Sequence, residues 1–205
     1  SVVDYTIIAP LKDCPNYYNI EIIDFTDAPH VTDIGNDNGD PSKGSSFKNF
    51  AWTSKLKYLI LPEKLEYIRT STFALCSTEY NNGLEIDFSQ ITNLDNLKIE
   101  FYPFQKTPIN KLLFNYNSIN DFDKFSVLIK NILTYSTYMK YEVQIVFCSD
   151  TNISTKTIED NLNNISIEYY DNTNNVFKKI TRKITVSSIP IIKELIFKDN
   201  MYDPE

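Results

Sequence analysis

The chain has 205 residues, 42 % of them apolar and 23 % charged, the balance of a folded protein with enough length for a sizeable core. Its net charge of −7 and pI near 4.8 speak against nucleic acid or an anionic membrane as partner, since both demand a basic footprint. No run of 18 or more apolar residues is present, so no membrane insertion by this chain is expected. The first residues carry no basic segment followed by an apolar stretch and read as the tail of a repeat, which suggests a mature or truncated product.

From residue 20 onward one phrase is written four times. It appears as Ile20-x-x-Ile23-x-Phe25, Leu56-x-x-Leu59-x-Leu61, Leu84-x-Ile86-x-Phe88 and Ile109-x-x-Leu112-x-Phe114, with anchors 36, 27 and 26 residues apart. Recurrence on that scale marks stacked supersecondary units. Within each phrase the apolar residues alternate, the period of a strand, so Leu59 and Leu61 point inward while Tyr58 and Ile60 face away. A second apolar pair follows each strand: Val31 and Ile34, Leu65 and Ile68, Ile91 and Leu94, Ile119 and Phe122. Spaced by three, each pair predicts a turn beneath its strand. A third piece precedes the strands, as Phe47-x-x-Phe50, Phe73-Ala74-Leu75-Cys76 and Phe101-x-x-Phe104. The polar stretch from Asn36 to Gly44 lengthens the first interval and reads as an exposed loop.

Past Phe114 the period changes. Asn120 is a helix cap, Asp121 and Asp123 suit a first turn, and apolar residues from Phe122 to Leu133 recur at threes and fours. This predicts one longer helix near 120–138, followed by a strand at 141–147. A helix between parallel strands is what a longer crossover permits. Farther on, 157–161 reads as a helical turn, 165–170 and 177–186 as a hairpin, and 191–197 as a last strand. The expected organisation is α/β, with repeated units and a short-stranded parallel sheet over 1–149 and a β-rich capping region over 150–205.

The run Leu56-Lys57-Tyr58-Leu59-Ile60-Leu61-Pro62-Glu63-Lys64-Leu65-Glu66-Tyr67-Ile68, followed by Phe73-Ala74-Leu75-Cys76, resembles the BspA-like leucine-rich repeat. The match is good over 56–76. It is degenerate over 20–50 and 84–122, where Thr26, Ser89 and Asn115 replace the proline, and it does not extend past about residue 150. The resemblance implies a leucine-rich-repeat solenoid and a cell-surface or secreted adhesion or binding protein of bacteria or some protozoa, with no catalytic residues to carry over.

Residues suited to chemistry are sparse. The single histidine, His30, follows a proline in a turn, so a histidine-rich metal site is excluded within this chain. In the acidic 33–40 stretch an EF-hand reading fails, because Gly39 at its glycine position places Ile34 where a carboxylate is required. Three scattered cysteines, Cys14, Cys76 and Cys148, suit buried thiols rather than a disulfide framework. No phosphate loop, serine-hydrolase elbow or His-Glu-x-x-His occurs. No cofactor and no enzymatic activity are therefore expected. What remains is the ladder of strand residues facing away from the core: Ile22, Asp24, Tyr58, Ile60, Glu85, Asp87, Lys111 and Leu113. Such a mixture of apolar, aromatic and charged groups suits a protein or glycan partner. The alternative is a structural assembly subunit, a phage or cell-envelope component, using the same faces for packing.

Overall fold

The computed structural model describes residues 17–35, 50–80, 82–136, 142–162, 166–171, 176–181 and 183–190. Eleven strands and two helices are described: β1 (Ile22–Asp24), β2 (Asp33–Ile34), β3 (Tyr58–Ile60), β4 (Tyr67–Ile68), β5 (Leu84–Asp87), β6 (Lys98–Ile99), β7 (Ile109–Asn115), α1 (Phe122–Leu133), β8 (Glu142–Ser149), α2 (Thr155–Leu162), β9 (Ser166–Asp171), β10 (Val176–Thr181) and β11 (Lys183–Pro190). The architecture is α/β. Its main layer is a six-stranded, all-parallel sheet in the order β1-β3-β5-β7-β8-β11.

The recurring phrase is the rung of this sheet. Ile23 pairs in register with Leu59, Leu59 with Ile86, Ile86 with Leu112, and Leu112 with Ile145. All five side chains are buried. The second inward residues, Phe25, Leu61, Phe88, Phe114 and Phe147, are buried beside them. Phe88 and Phe114 stack at 4.8 Å, and Phe125 of α1 meets Phe114 edge-on at 5.0 Å. Strands of three or four residues are too short to stand alone, so each depends on neighbours that bury its inward residues and complete its hydrogen bonds.

The second apolar pairs fulfil their expected role differently. Ile34 and Ile68 lie in two-residue strands, and β2, β4 and β6 form a second parallel sheet in that order. In the later units 3-10 turns form instead, at Leu94–Asn96, capped by Asn93, whose carboxamide accepts from the Asp95 N–H, and at Tyr116–Ser118, just before Ile119. A two-residue strand wins where a preceding unit offers backbone partners: Tyr67 N–H donates to Thr32, Arg69 N–H to Ile34, and Glu100 N–H to Ile68.

A third column lines the return to the main sheet. Phe50, Phe73 and Phe104 stack face to face at 5.3 and 5.4 Å, with Phe25 edge-on at one end. Of the Phe-x-x-Phe pairs it is the second member that packs; Phe101 is exposed, and Phe47 lies outside the described residues. Two residues after Phe50, Phe73, Phe104 and Leu133 come Trp52, Leu75, Lys106 and Tyr135, all left-handed with φ between 57 and 73°. One residue later stand the buried Thr53, Cys76, Thr107 and Ser136. The Thr107 hydroxyl donates to the Phe73 carbonyl at 2.6 Å, the Thr53 hydroxyl to the Phe50 carbonyl at 2.9 Å, and the Ser136 hydroxyl to the Leu133 carbonyl at 2.8 Å. Each unit therefore turns this corner with a left-handed residue followed by a buried hydroxyl or thiol; Thr53 and Ser136 bond the carbonyl three residues back, Thr107 and Cys76 that of the preceding unit, and α1 ends on the same corner.

Helix α1 starts one residue later than expected. Asp121 is the cap, with its carboxylate accepting from the Asp123 and Lys124 N–H groups. The helix ends at Leu133, because Thr134 is already extended and Tyr135 is left-handed; 137–138 lies outside the described residues. Phe125, Leu128, Ile129, Ile132 and Leu133 form its buried face. The strand expected at 141–147 is β8, parallel to β7 across α1. The expected hairpin is the antiparallel pair β9–β10, and the span read as one strand at 177–186 is divided. Its second part, β11, runs parallel to β8 as the sixth strand of the main sheet. The strand expected at 191–197 lies outside the described residues.

Candidate functional site

Register places the eight outward residues on one face of the main sheet, in two rows. Ile22, Tyr58, Glu85 and Lys111 form the first, which Gln144 and Thr185 continue. Asp24, Ile60, Asp87 and Leu113 form the second, continued by Val146 and Ser187. The rows differ along their length. Ile22 is 57 % exposed and Tyr58 41 %, whereas Ile60, Glu85, Asp87, Lys111 and Leu113 are half-buried and Val146 is buried.

Polar groups in the rows are partly committed to local work. The Asp24 carboxylate accepts from the Thr26 N–H at 2.8 Å and Asp87 from the Ser89 N–H at 2.7 Å, so each ends its strand with an Asx turn. Glu85 and Lys111 are cross-strand partners joined by a 3.2 Å ion pair. Lys57, just before β3, pairs with Glu21 at 2.8 Å and lies over the Tyr80 ring at 5.6 Å. The hydrogen bond to Glu21 holds its ammonium above the usual lysine range. The part of this face free to meet a partner is thus concentrated at Ile22 and Tyr58, an apolar and aromatic pair beside a Glu21–Lys57 bridge.

The second sheet carries a charged clamp absent from the sequence reading. Arg69 follows Ile68, where the neighbouring strands have Gly35 and Glu100. Its guanidinium binds the Asp33 carboxylate on one side and Glu100 on the other, and stacks over the Tyr67 ring at 4.5 Å. Glu100 also accepts from the Thr70 N–H at 3.1 Å. Burial pulls the Glu100 carboxyl upward, but the hydrogen bonds from Arg69 and Thr70 outweigh it and hold it below the usual range. Gly35 permits this approach: at φ 120° a Cβ would stand 2.3 Å from Arg69 Cβ. The signal available in the sequence was the recurrence of Ile34, Ile68 and Ile99, each beside a clamp residue: Asp33 just before the first, Arg69 and Glu100 just after the other two.

Burial pushes the Cys76 thiol up to about 12, and its sulfur lies 3.0 Å from the Thr53 hydroxyl, so it packs as a small apolar group. Cys148 is half-buried, Cys14 lies outside the described residues, and His30 is exposed. Among the described residues no group of three or more His, Cys, Asp or Glu is placed to hold a metal ion. None of their helices is long and apolar enough to cross a membrane. A groove between β6 and α1 is lined by Leu94, Leu97, Ile99, Val127 and Leu128, with Lys98, Lys124, Asp95 and Asp123 at its rim. Compared with family models, with curated proteins and with solved structures, the chain matches none of them.

Proposed function

We propose that the chain is a divergent solenoid of the BspA-like leucine-rich-repeat kind, acting as a non-catalytic binding or adhesion module of a surface or secreted protein. It holds a protein or glycan partner on the outward face of its main sheet. The observation that carries this reading is the pairing from Ile22 and Asp24 to Lys111 and Leu113, in step beyond a register shift between Leu84 and Glu85, which aligns eight outward side chains on one face. A rigid parallel ladder presents such groups with little ordering cost on binding, and an exposed aromatic is a favourable anchor. The exposed pair Ile22 and Tyr58 supplies the apolar contact, with Asp24 and Asp87 on either side of Ile60 as acidic acceptors in the second row.

A glycan array and a screen against host surface proteins, run with the intact chain, test this. The expected outcome is a ligand whose binding falls at least about tenfold in the Tyr58→Ala/Asp87→Ala variant, the loss of one well-packed anchor. Binding left untouched by the double change refutes the assignment to this face. A neighbourhood of virion or envelope-assembly genes, with no ligand in either screen, favours the packing-scaffold role instead.

A further inference from the structure

The last strand of the main sheet is β11, which pairs with β8 over eight residues and has no further strand beside it among the described residues. A long edge strand is a template for pairing with another chain. Here helix α2 lies against it, and the Glu159 carboxylate accepts from the Val186 N–H at 3.0 Å. That bond fixes which backbone groups of β11 face outward. In a parallel ladder successive residues turn their N–H and C=O groups to opposite sides. With Val186 turned away from β8, Ser188 and Pro190 are turned away too, and Thr185, Ser187 and Ile189 face β8. Of the three outward positions from Val186 onward, the first has its N–H taken by Glu159 and the third is a proline with none to give. Ile158 and Leu162, both buried, anchor α2 where Glu159 can reach the strand.

We propose that Glu159 and Pro190 form an edge guard that prevents β11 from pairing with β11 of a second copy of this chain. Glu159 occupies one outward donor, Pro190 removes another, and Ser188 alone of the three can give a hydrogen bond to an incoming strand. The guard acts through the backbone, so what it keeps out is an extended segment rather than a charged or apolar side chain.

Sedimentation and hydrogen exchange test this on the full chain. In the unmodified protein the Val186 amide exchanges at least about tenfold more slowly than that of Ser188, because only the first is bonded. The sedimentation coefficient stays constant as concentration rises. The Glu159→Ala/Pro190→Thr variant, with native circular dichroism, self-associates at least about tenfold more tightly and gains protection at Ser188. Glu159→Gln keeps an acceptor oxygen and stays monomeric. A folded double variant that remains monomeric overturns the proposal, as does an unmodified chain that already associates through β11. If the double variant does not fold, the exchange contrast between Val186 and Ser188 decides: equal rates overturn the guard.

Discussion

The stretch from β1 to β6 and the stretch from β7 to β11 solve the same problem with different means. In the first, main-sheet strands have three or four residues and second-sheet strands two, and no α-helix is described. In the second, main-sheet strands reach seven or eight residues and both α-helices appear. The early units hold together through columns running across them: the Phe50–Phe73–Phe104 stack, the repeated corner and the Arg69 clamp. The later units are held by extended pairing and by the amphipathic face of α1 against Phe114 and Phe147. Cooperation between units can therefore replace length within a unit, and its cost is that one lost rung weakens both neighbours.

The largest expected effect comes from breaking a column at its middle. Phe73→Ala removes the ring between Phe50 and Phe104 and is expected to cost about 3–5 kcal/mol. Denaturant titration with residue-resolved hydrogen exchange should show β3 to β6 losing protection before β8 and β11. Simultaneous loss everywhere would mean that the two regions are one cooperative block. Next is Gly35→Ala, where a Cβ against Arg69 and an unfavourable φ together cost about 1–3 kcal/mol, read from the shift in unfolding midpoint.

Arg69→Met keeps the stem over Tyr67 and removes the charge. Both carboxylates it pairs are partly exposed, so the expected cost at neutral pH is about 1–2 kcal/mol, below that of a fully buried pair. The sign with pH follows from Glu100. Its carboxyl is held below the ordinary value of 4.5, so the clamp contributes fully above that value. The contribution disappears as pH falls through the lower folded value. Stability curves of the two proteins should converge in acid; a constant difference down to complete protonation would remove the clamp from the account. The smallest effect is expected at the corner. Lys106 is exposed and left-handed, and Lys106→Gly relieves that conformation at some cost in unfolded-chain entropy, for a net gain of about 0.5 kcal/mol in thermal or denaturant unfolding.

The main-sheet rungs were legible because alternation at Ile23, Leu59, Ile86 and Leu112 is a property of side chains, which a sequence displays directly. Helix α1 was legible for the same reason. The second sheet was not, since a two-residue strand has no period, and its stability lies in backbone bonds to units 30 or so residues away, such as that from Glu100 N–H to Ile68. The corner was half legible: Phe73 and Cys76 stood out, but Thr53, Thr107 and Ser136 fill the place of Cys76 with a hydroxyl, and apolar scoring passes over them. The outward rows share the parity that the alternation displays. Which members are free was beyond reach, because Asx turns at Asp24 and Asp87 and the Glu85–Lys111 bridge depend on three-dimensional neighbours.

The unequal spacing of the rungs has a further consequence. Ile23, Leu59 and Ile86 sit in one register although the chain travels different distances between them, so the ladder is indifferent to how much polypeptide is spent on the way round. Added residues between Ile34 and Phe50 should therefore leave the pairing of Ile23 with Leu59 in place. Excising residues 60–86 would set Leu59 ahead of Asp87 in the phase that Ile86 now occupies, removing one rung of the sheet while keeping the pairing order of the others.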